Sequence, residues 1–356
     1  MKKVLCLLIA VMMVVSMSAC SIFGGNYELA LITDLGTIDD KSFNQGAWEG
    51  LVQYAKENNI SHKYYQPTEQ SDDAYLAAIE LAVKGGAKVI VTPGFLFETP
   101  IFIAQDLYPD VHFILLDGTP HSADYSDYKV GPNTVGINYA EDQAGFLAGY
   151  AAVKDGYRKL GFCGGMAVPA VVRFGFGFVQ GAEYAGKELG LGAGDLEVKY
   201  HYTGDFVASP AAQALAAAWY NSGTEVIFAC GGAVGNSVMA AAEAAGKKVI
   251  GVDVDQAAES DTVITSSMKG LQASVYAALK DYYAGKFPGA TDQTFEAANS
   301  GVGLPMETSR FNSFSQADYD AIFGKLANGS VPRFTNLGND GDPEVVPVEI
   351  TVVTFI

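Results

Sequence analysis

The chain has 356 residues and a formal charge of −18, from 22 Lys and Arg against 40 Asp and Glu, yet 49% of it is hydrophobic and only 17% is charged. That balance excludes an acidic disordered tail, because the apolar fraction is ample for burial, and the length suggests two globular domains. The acidity argues against a nucleic-acid partner, which needs a basic surface to release counterions, and against a face that binds anionic lipid.

At the amino terminus Lys2 and Lys3 precede an unbroken apolar run from Val4 to Val15, followed by Ser16-Met17-Ser18-Ala19-Cys20. A short basic segment, a short apolar core and small residues before a cysteine read as an export signal over residues 1–19. The apolar run is too short to span a bilayer, which takes about 20 residues. Met17-Ser18-Ala19-Cys20 resembles the bacterial lipobox, which implies cleavage before Cys20, lipid on its thiol, and residues 20–26 as a tether; the alternative is a plain secretory signal in which Cys20 is incidental. Removing residues 1–19 discards Lys2 and Lys3, which takes the charge from −18 to −20, and discards Cys6. Cys163 and Cys230 remain, each ending an apolar run without metal-ligand or disulfide spacing. They read as buried free thiols.

Strand-like runs then alternate with helical segments. Strands are expected at Tyr27–Thr33, His62–Tyr65, Lys88–Val91, His112–Leu116, Thr134–Ile137, Lys159–Phe162, Glu197–Tyr202, Glu225–Ala229 and Lys248–Val252. Helices fall between them at Ser42–Asn58, Asp72–Lys84, Glu141–Lys154, Val171–Leu189, Pro210–Tyr220 and Val234–Ala245. This alternation predicts an α/β fold of parallel sheets covered on both faces. No linker-like stretch divides the chain, so the two halves should join through several strands. Ser42-Phe43-Asn44-Gln45 has the pattern of a capping box, which places Ser42 at a helix N-cap and Ala47, Leu51 and Ala55 on its buried stripe.

In an open parallel sheet, ligands bind beyond the carboxyl ends of the strands. Those ends carry Asp34, Thr92 to Phe95, Asp117-Gly118, Gly164-Gly165, Gly231-Gly232 and Asp253. Aspartates there accept hydrogen bonds, and glycines let a ligand approach the backbone. A crevice lined with carboxylates repels anions, at about 4 kcal/mol per unit-charge pair 4 Å apart with an effective dielectric near 20. Its ligand should be neutral or cationic and rich in donors, such as a sugar diol, a nucleobase edge or an amine. Phe43, Phe95, Phe174, Phe176 and Phe206 lie in or beside these loops and offer ring faces for stacking.

Catalytic patterns are missing. His62, His112, His121 and His201 have no metal-ligand spacing, and neither a phosphate loop nor a nucleophile elbow occurs. Gly175-Phe176-Gly177-Phe178-Val179-Gln180-Gly181 has the wrong spacing for a dinucleotide fingerprint and lies in a helical segment, so its glycines read as packing positions. Asn339-Asp340-Gly341-Asp342 lacks the register of a calcium loop and reads as an acidic turn. The chain is expected to bind rather than catalyse, without a cofactor or metal.

Ile32-Thr33-Asp34-Leu35-Gly36-Thr37-Ile38-Asp39-Asp40-Lys41-Ser42-Phe43-Asn44-Gln45-Gly46-Ala47-Trp48-Glu49-Gly50 resembles the opening signature of the BMP (basic membrane protein) family, substrate-binding lipoproteins of ABC transporters related to the purine nucleoside receptor. Glu141–Tyr150, Arg173–Gly181 and Ile250–Asp253 also resemble family blocks, and the likeness fades past Pro288. The resemblance implies a type I periplasmic-binding-protein fold, with two Rossmann-like lobes closing on a purine nucleoside (guanosine, inosine or adenosine). One lobe would hold residues 27–138 and about 266–300, the other 139–265 and about 301–356. By the same resemblance Phe43 and Phe206 would sandwich the base, Asn44 and Asp117 would address its donors, Asp253 and Lys269 would reach the ribose, and Asp34 and Gly232 would complete the lining. The implied protein is a monomer, lipid-anchored on the extracytoplasmic face of the cell membrane and touching it through that anchor only, with permease and ATPase subunits as partners. A ribose-type sugar receptor and a surface nucleosidase are the alternatives. Three of these side chains also have structural alternatives: Phe43 could join the buried helix stripe, Phe206 could pack under a loop, and Lys269 could be solvated or complement a helix dipole.

Overall fold

The structure is a computed structural model that describes residues 26–34, 36–331 and 346–356. The expected export signal, Cys20, nearly all of the expected tether and the acidic turn expected at Asn339 to Asp342 lie outside the described residues.

The chain first lays down β1 (Leu29–Ile32), β2 (His62–Tyr65), β3 (Val89–Pro93), β4 (His112–Leu116) and β5 (Thr134–Tyr139), with α1 (Phe43–Glu57), α2 (Asp72–Lys84) and α3 (Glu98–Leu107) between them. It continues through α4 (Glu141–Lys154), β6 (Lys159–Gly164), α5 (Pro169–Glu188), β7 (Leu196–Tyr202), α6 (Pro210–Asn221), β8 (Val226–Cys230), α7 (Val234–Ala245), β9 (Lys248–Asp253) and β10 (Val263–Lys269). After α8 (Leu271–Tyr283) come β11 (Thr291–Phe295), β12 (Val302–Gly303), α9 (Gln316–Ala327) and β13 (Thr351–Phe355).

These strands form two sheets, ordered β11-β5-β4-β3-β1-β2 and β12-β10-β9-β8-β6-β7-β13. All neighbours are parallel except β10 and β12, where Met268 faces Gly303. The central strands are buried on both sides, β1 and β3 without an exposed residue, which explains their continuous apolar runs. The chain passes between the sheets after β5, after β10 and after β11, so the lobes share a multi-strand hinge. β10 stays with the second sheet as far as Lys269, so the return to the first lobe falls at Gly270 rather than at about 266. β13, the tail, runs parallel to β7 as an edge strand of the second sheet. Glu183 of α5 holds its entry, accepting the N–H groups of Glu349 and Thr351 at 2.9 Å and the Thr351 hydroxyl at 2.7 Å.

The closest helix packing is between α4 and α5. Gly145 and Gly149 of α4 lie against the carbonyls of Phe174 and Phe178, while Gly177 and Gly181 of α5 lie against those of Asp142 and Phe146. The i, i+4 spacing puts each pair on one face, and the absence of side chains lets the backbones touch. The glycine-rich run therefore packs helices, as its spacing suggests, and this contact brings the first turns of α4 and α5 together. Gly149→Ala would drive its methyl into the Phe178 carbonyl. Overpacking of this kind typically costs about 1–3 kcal/mol, so thermal unfolding of the variant should show a clear drop in midpoint. An unchanged midpoint would mean that the contact is looser than described. Cys163 and Cys230 are free and buried, and burial pushes the Cys163 thiol up to about 12.

Candidate functional site

Helix α1 starts where the capping pattern places it, but by another mechanism. The Ser42 side chain makes no cap hydrogen bond. Asp40 caps instead, its Oδ1 accepting the N–H groups of Ser42 (2.9 Å) and Gln45 (3.1 Å) and its Oδ2 that of Asn44 (3.0 Å). Gln45 reaches back to Lys41 N at 3.2 Å rather than to Ser42. The reason is that a carboxylate accepts several N–H bonds at once, which leaves the serine hydroxyl available. Ser42 Oγ donates to Asp253 Oδ2 across the crevice at 2.5 Å. Ala47, Leu51 and Ala55 form the buried stripe as expected.

Asn44 is fixed by its neighbours. Its amide nitrogen donates to Asp34 Oδ1 at 3.1 Å and to Asp40 Oδ2 at 3.0 Å. Two carboxylates on that side admit only the NH₂ group, so the carbonyl must face the other way. There Asn44 Oδ1 is buried without a hydrogen-bond partner. Asp34 also accepts Gly36 N at 2.6 Å, and burial raises its carboxyl above the usual range.

Asp117 and Asp253, at the ends of β4 and β9, both adopt left-handed backbone conformations, with φ of 56° and 66°. Such geometry is uncommon outside glycine, and asparagine and aspartate tolerate it best. Asp117 Oδ2 pairs with Lys269 Nζ, while Asp117 Oδ1 is buried without a hydrogen-bond partner. Burial pushes the Asp117 carboxyl up to about 7, with Lys269 opposing the rise and Glu141 and Asp253 adding to it. Burial also raises Asp253, against the pull of Lys269 and the Ser42 hydroxyl.

Lys269 is the centre of the cluster. It ends β10, and its side chain is 2% exposed. Besides Asp117, its ammonium meets Glu141 Oε1 at 3.1 Å and lies 4.9, 5.3 and 5.2 Å from the ring centres of Phe43, Tyr139 and Phe174. Cation–π contact of this kind is strengthened by desolvation. Burial alone would lower the Lys269 ammonium, but Asp117, Glu141 and Asp253 outweigh it and hold the group firmly charged. Glu141, in the first turn of α4, is fully buried, and Arg173 Nε of α5 meets its Oε2 at 2.6 Å. Burial would raise the Glu141 carboxyl, but Arg173 and Lys269 hold it below its ordinary value. The glycine crossing of α4 and α5 is what brings Glu141 and Arg173 within reach.

The structure thus assembles Asp34, Phe43, Asn44, Asp117, Asp253 and Lys269 around one crevice. Phe206 and Gly232 are placed elsewhere on its second-lobe wall: Phe206 lies over Gly165, and Gly232, with φ of 56°, sits beside it. The rings that share Lys269 with Phe43 are Tyr139 and Phe174. Sequence reasoning missed Tyr139, Glu141 and Arg173 as neighbours of the site, whereas Phe174 is among the rings it offers for stacking. The strand expected at Thr134–Ile137 stops short of Tyr139, which ends β5, and the family blocks that contain Glu141 and Arg173 carry no assigned site role. Among the described residues no cluster suited to a metal ion occurs, and no helix is long and apolar enough to cross a membrane.

Two parallel α/β sheets with their carboxyl ends turned to a shared crevice define the two-lobe type I periplasmic-binding-protein fold. A solved solute-binding protein of an ABC transporter system from Aeropyrum pernix K1 superposes with a TM-score of 0.69 at 23% identity, covering 88% of this chain and 83% of that one. Residues 28–329 match the family model Bmp, described as ABC transporter substrate-binding protein PnrA-like. The chain belongs to this Bmp family of ABC-transporter substrate-binding proteins. It is 32% identical to the ABC transporter nucleoside-binding protein BmpA of Lactococcus lactis subsp. cremoris, over 84% of this chain and 88% of that protein. It is 31% identical to basic membrane protein A of Borreliella burgdorferi, over 68% of each.

Proposed function

We propose that this protein captures purine nucleosides between its lobes for uptake, anchored through Cys20 to the extracytoplasmic face of the membrane. The observation that carries the reading is the pair of buried, orphaned acceptors, Asn44 Oδ1 and Asp117 Oδ1, together with the Lys269 ammonium that pairs with Asp117 and lies 4.9 Å from the Phe43 ring centre. Buried acceptors without partners are costly, and a nucleobase edge supplies donors to both while its face stacks on Phe43. Asp253 and Lys269 are the groups for the ribose hydroxyls, and Phe206 with Gly232 closes the second-lobe side. The Lactococcus lactis relative, named for nucleoside binding, supports the same ligand class. Asp34 and Asp40 add negative potential, which disfavours a phosphate.

Purified protein denatured and filtered should release a compound absorbing near the nucleobase band, and chromatography should identify it as an intact purine nucleoside. A released sugar without a base would favour the ribose-type receptor. Recovery of free base and ribose after incubation with guanosine would favour a nucleosidase. A loaded protein then docks on a permease with its ATPase, after a hinge closure of the lobes.

A further inference from the structure

The amino-terminal ends of the parallel strands gather at the pole of the first lobe, away from the crevice, and the chain enters the fold there at Tyr27. Beside that entry the edge strand β2 and helix α1 form a cleft of about 500 Å³ lined by Tyr27, Trp48, His62, Lys63 and Tyr64. Trp48 packs against His62 and Tyr64, with ring centres 5.6 and 5.7 Å apart. Lys63 Nζ lies over Tyr27 and Tyr65 at 5.4 and 4.9 Å. In a chain of net charge −18 this lining contains no carboxylate. Two large apolar side chains, Leu81 near the end of α2 and Leu107 at the end of α3, are 54% and 61% exposed. In a parallel α/β sheet the carboxyl end of a helix lies near the amino end of the strand that follows, so both belong to this pole.

We propose that this aromatic face rests on the lipid headgroup interface of the membrane that carries the anchor. The inference depends on the lipid-anchor reading above. Cys20 to Asn26, fully extended, reaches at most about 25 Å, which keeps the Tyr27 pole close to the bilayer. Tryptophan and tyrosine favour the interface because the ring is apolar and its N–H or O–H stays wet. Lys63 can extend its ammonium to the headgroups while its stem covers the rings. The sequence reading confines membrane contact to the acyl anchor; the fold adds a protein face. The recognition is for interface polarity rather than anionic charge, since the protein as a whole is acidic.

The test uses the full lipoprotein reconstituted into phosphatidylcholine vesicles whose acyl chains are brominated near the glycerol. The chain has two tryptophans; Trp219 is buried in the second lobe and serves as an internal reference. Trp48 emission is expected to shift to shorter wavelength and to lose intensity to bromine, and Trp48→Phe should abolish both changes. Replacing part of the lipid with phosphatidylglycerol should not strengthen them. Unquenched Trp48 emission with an acylated Cys20, shown by mass spectrometry of the amino-terminal peptide, would overturn the face while leaving the anchor intact. An unmodified Cys20 would overturn the anchor and this stance with it. Dimerisation in detergent that Tyr64→Ser abolishes would show that β2 pairs copies of the chain and would also overturn the proposal.

Discussion

Lys269→Met is expected to be the most destabilising single change in the crevice, by about 3–5 kcal/mol at neutral pH, the usual cost of removing one partner of a buried ion pair. The ammonium neutralises Asp117 and Glu141 directly and attracts Asp253. Without it, Arg173 still holds Glu141, but Asp117 is a buried carboxylate without a cation. The pH dependence has a defined sign. A carboxyl whose folded pKa lies above its unfolded value near 3.9 costs stability as pH rises above that value and costs none below it. Asp117 lies near 7 in the wild type and higher once Lys269 is gone, so the two chains carry the same cost from it below about 7, and the deficit of Lys269→Met should widen as pH rises from 7 towards 9. Asp117→Asn in the same chain removes the stranded charge, and the double variant should recover part of the loss. Denaturant unfolding across that pH range checks both statements. A pH-independent deficit, or a double variant no more stable than the single one, would mean that Lys269 acts through packing alone.

Asp117 carries the second large expectation, on binding. In the proposed complex its carboxylate accepts donors from the base, and hydrogen bonds to a charged group contribute about 1.5–3 kcal/mol. Asp117→Asn should accordingly weaken nucleoside binding by roughly 10- to 150-fold, since 1.4 kcal/mol is tenfold. Burial holds the Asp117 carboxyl near 7 in the structure, so the wild type must lose a proton to bind, and its affinity should fall as pH drops below about 7. The asparagine variant has no such proton to lose, and its profile over the same range should be flat. Calorimetry in buffers of different ionisation heat detects the released proton. A wild-type affinity independent of pH between 5 and 8 would take Asp117 out of contact with the ligand.

The sequence exposed most of the central strands because they are continuous apolar runs between helices, and β2 and β4 match at both ends. It missed β10 and β11 for the opposite reason. Val263-Ile264-Thr265-Ser266-Ser267-Met268-Lys269 is half polar, and Thr291-Asp292-Gln293-Thr294-Phe295 is a largely exposed edge strand. Lys269 was therefore reachable only through the resemblance to the family. Helix α3 escaped notice because Pro100 interrupts its pattern, although a proline in the first turn removes no intrahelical bond. The capping box shows a different limit. Ser42 and Gln45 satisfy the local pattern, but Asp40 competes for the same N–H groups, and the partner that decides the outcome, Asp253, is 211 residues away. The same holds for Glu141 and Arg173. Their helix positions are legible, but their meeting depends on a glycine-to-backbone crossing that only the fold displays. By contrast Asp34, Phe43 and Asn44 lie within a short segment, and their grouping follows from one strand end and one helix start.

Isothermal titration of guanosine, guanosine monophosphate and ribose into the unloaded protein tests the central claim most directly. Tight one-to-one binding of the nucleoside, with the monophosphate and the free sugar much weaker, is the expected result. Equal binding of the monophosphate, or ribose binding without guanosine binding, would contradict it.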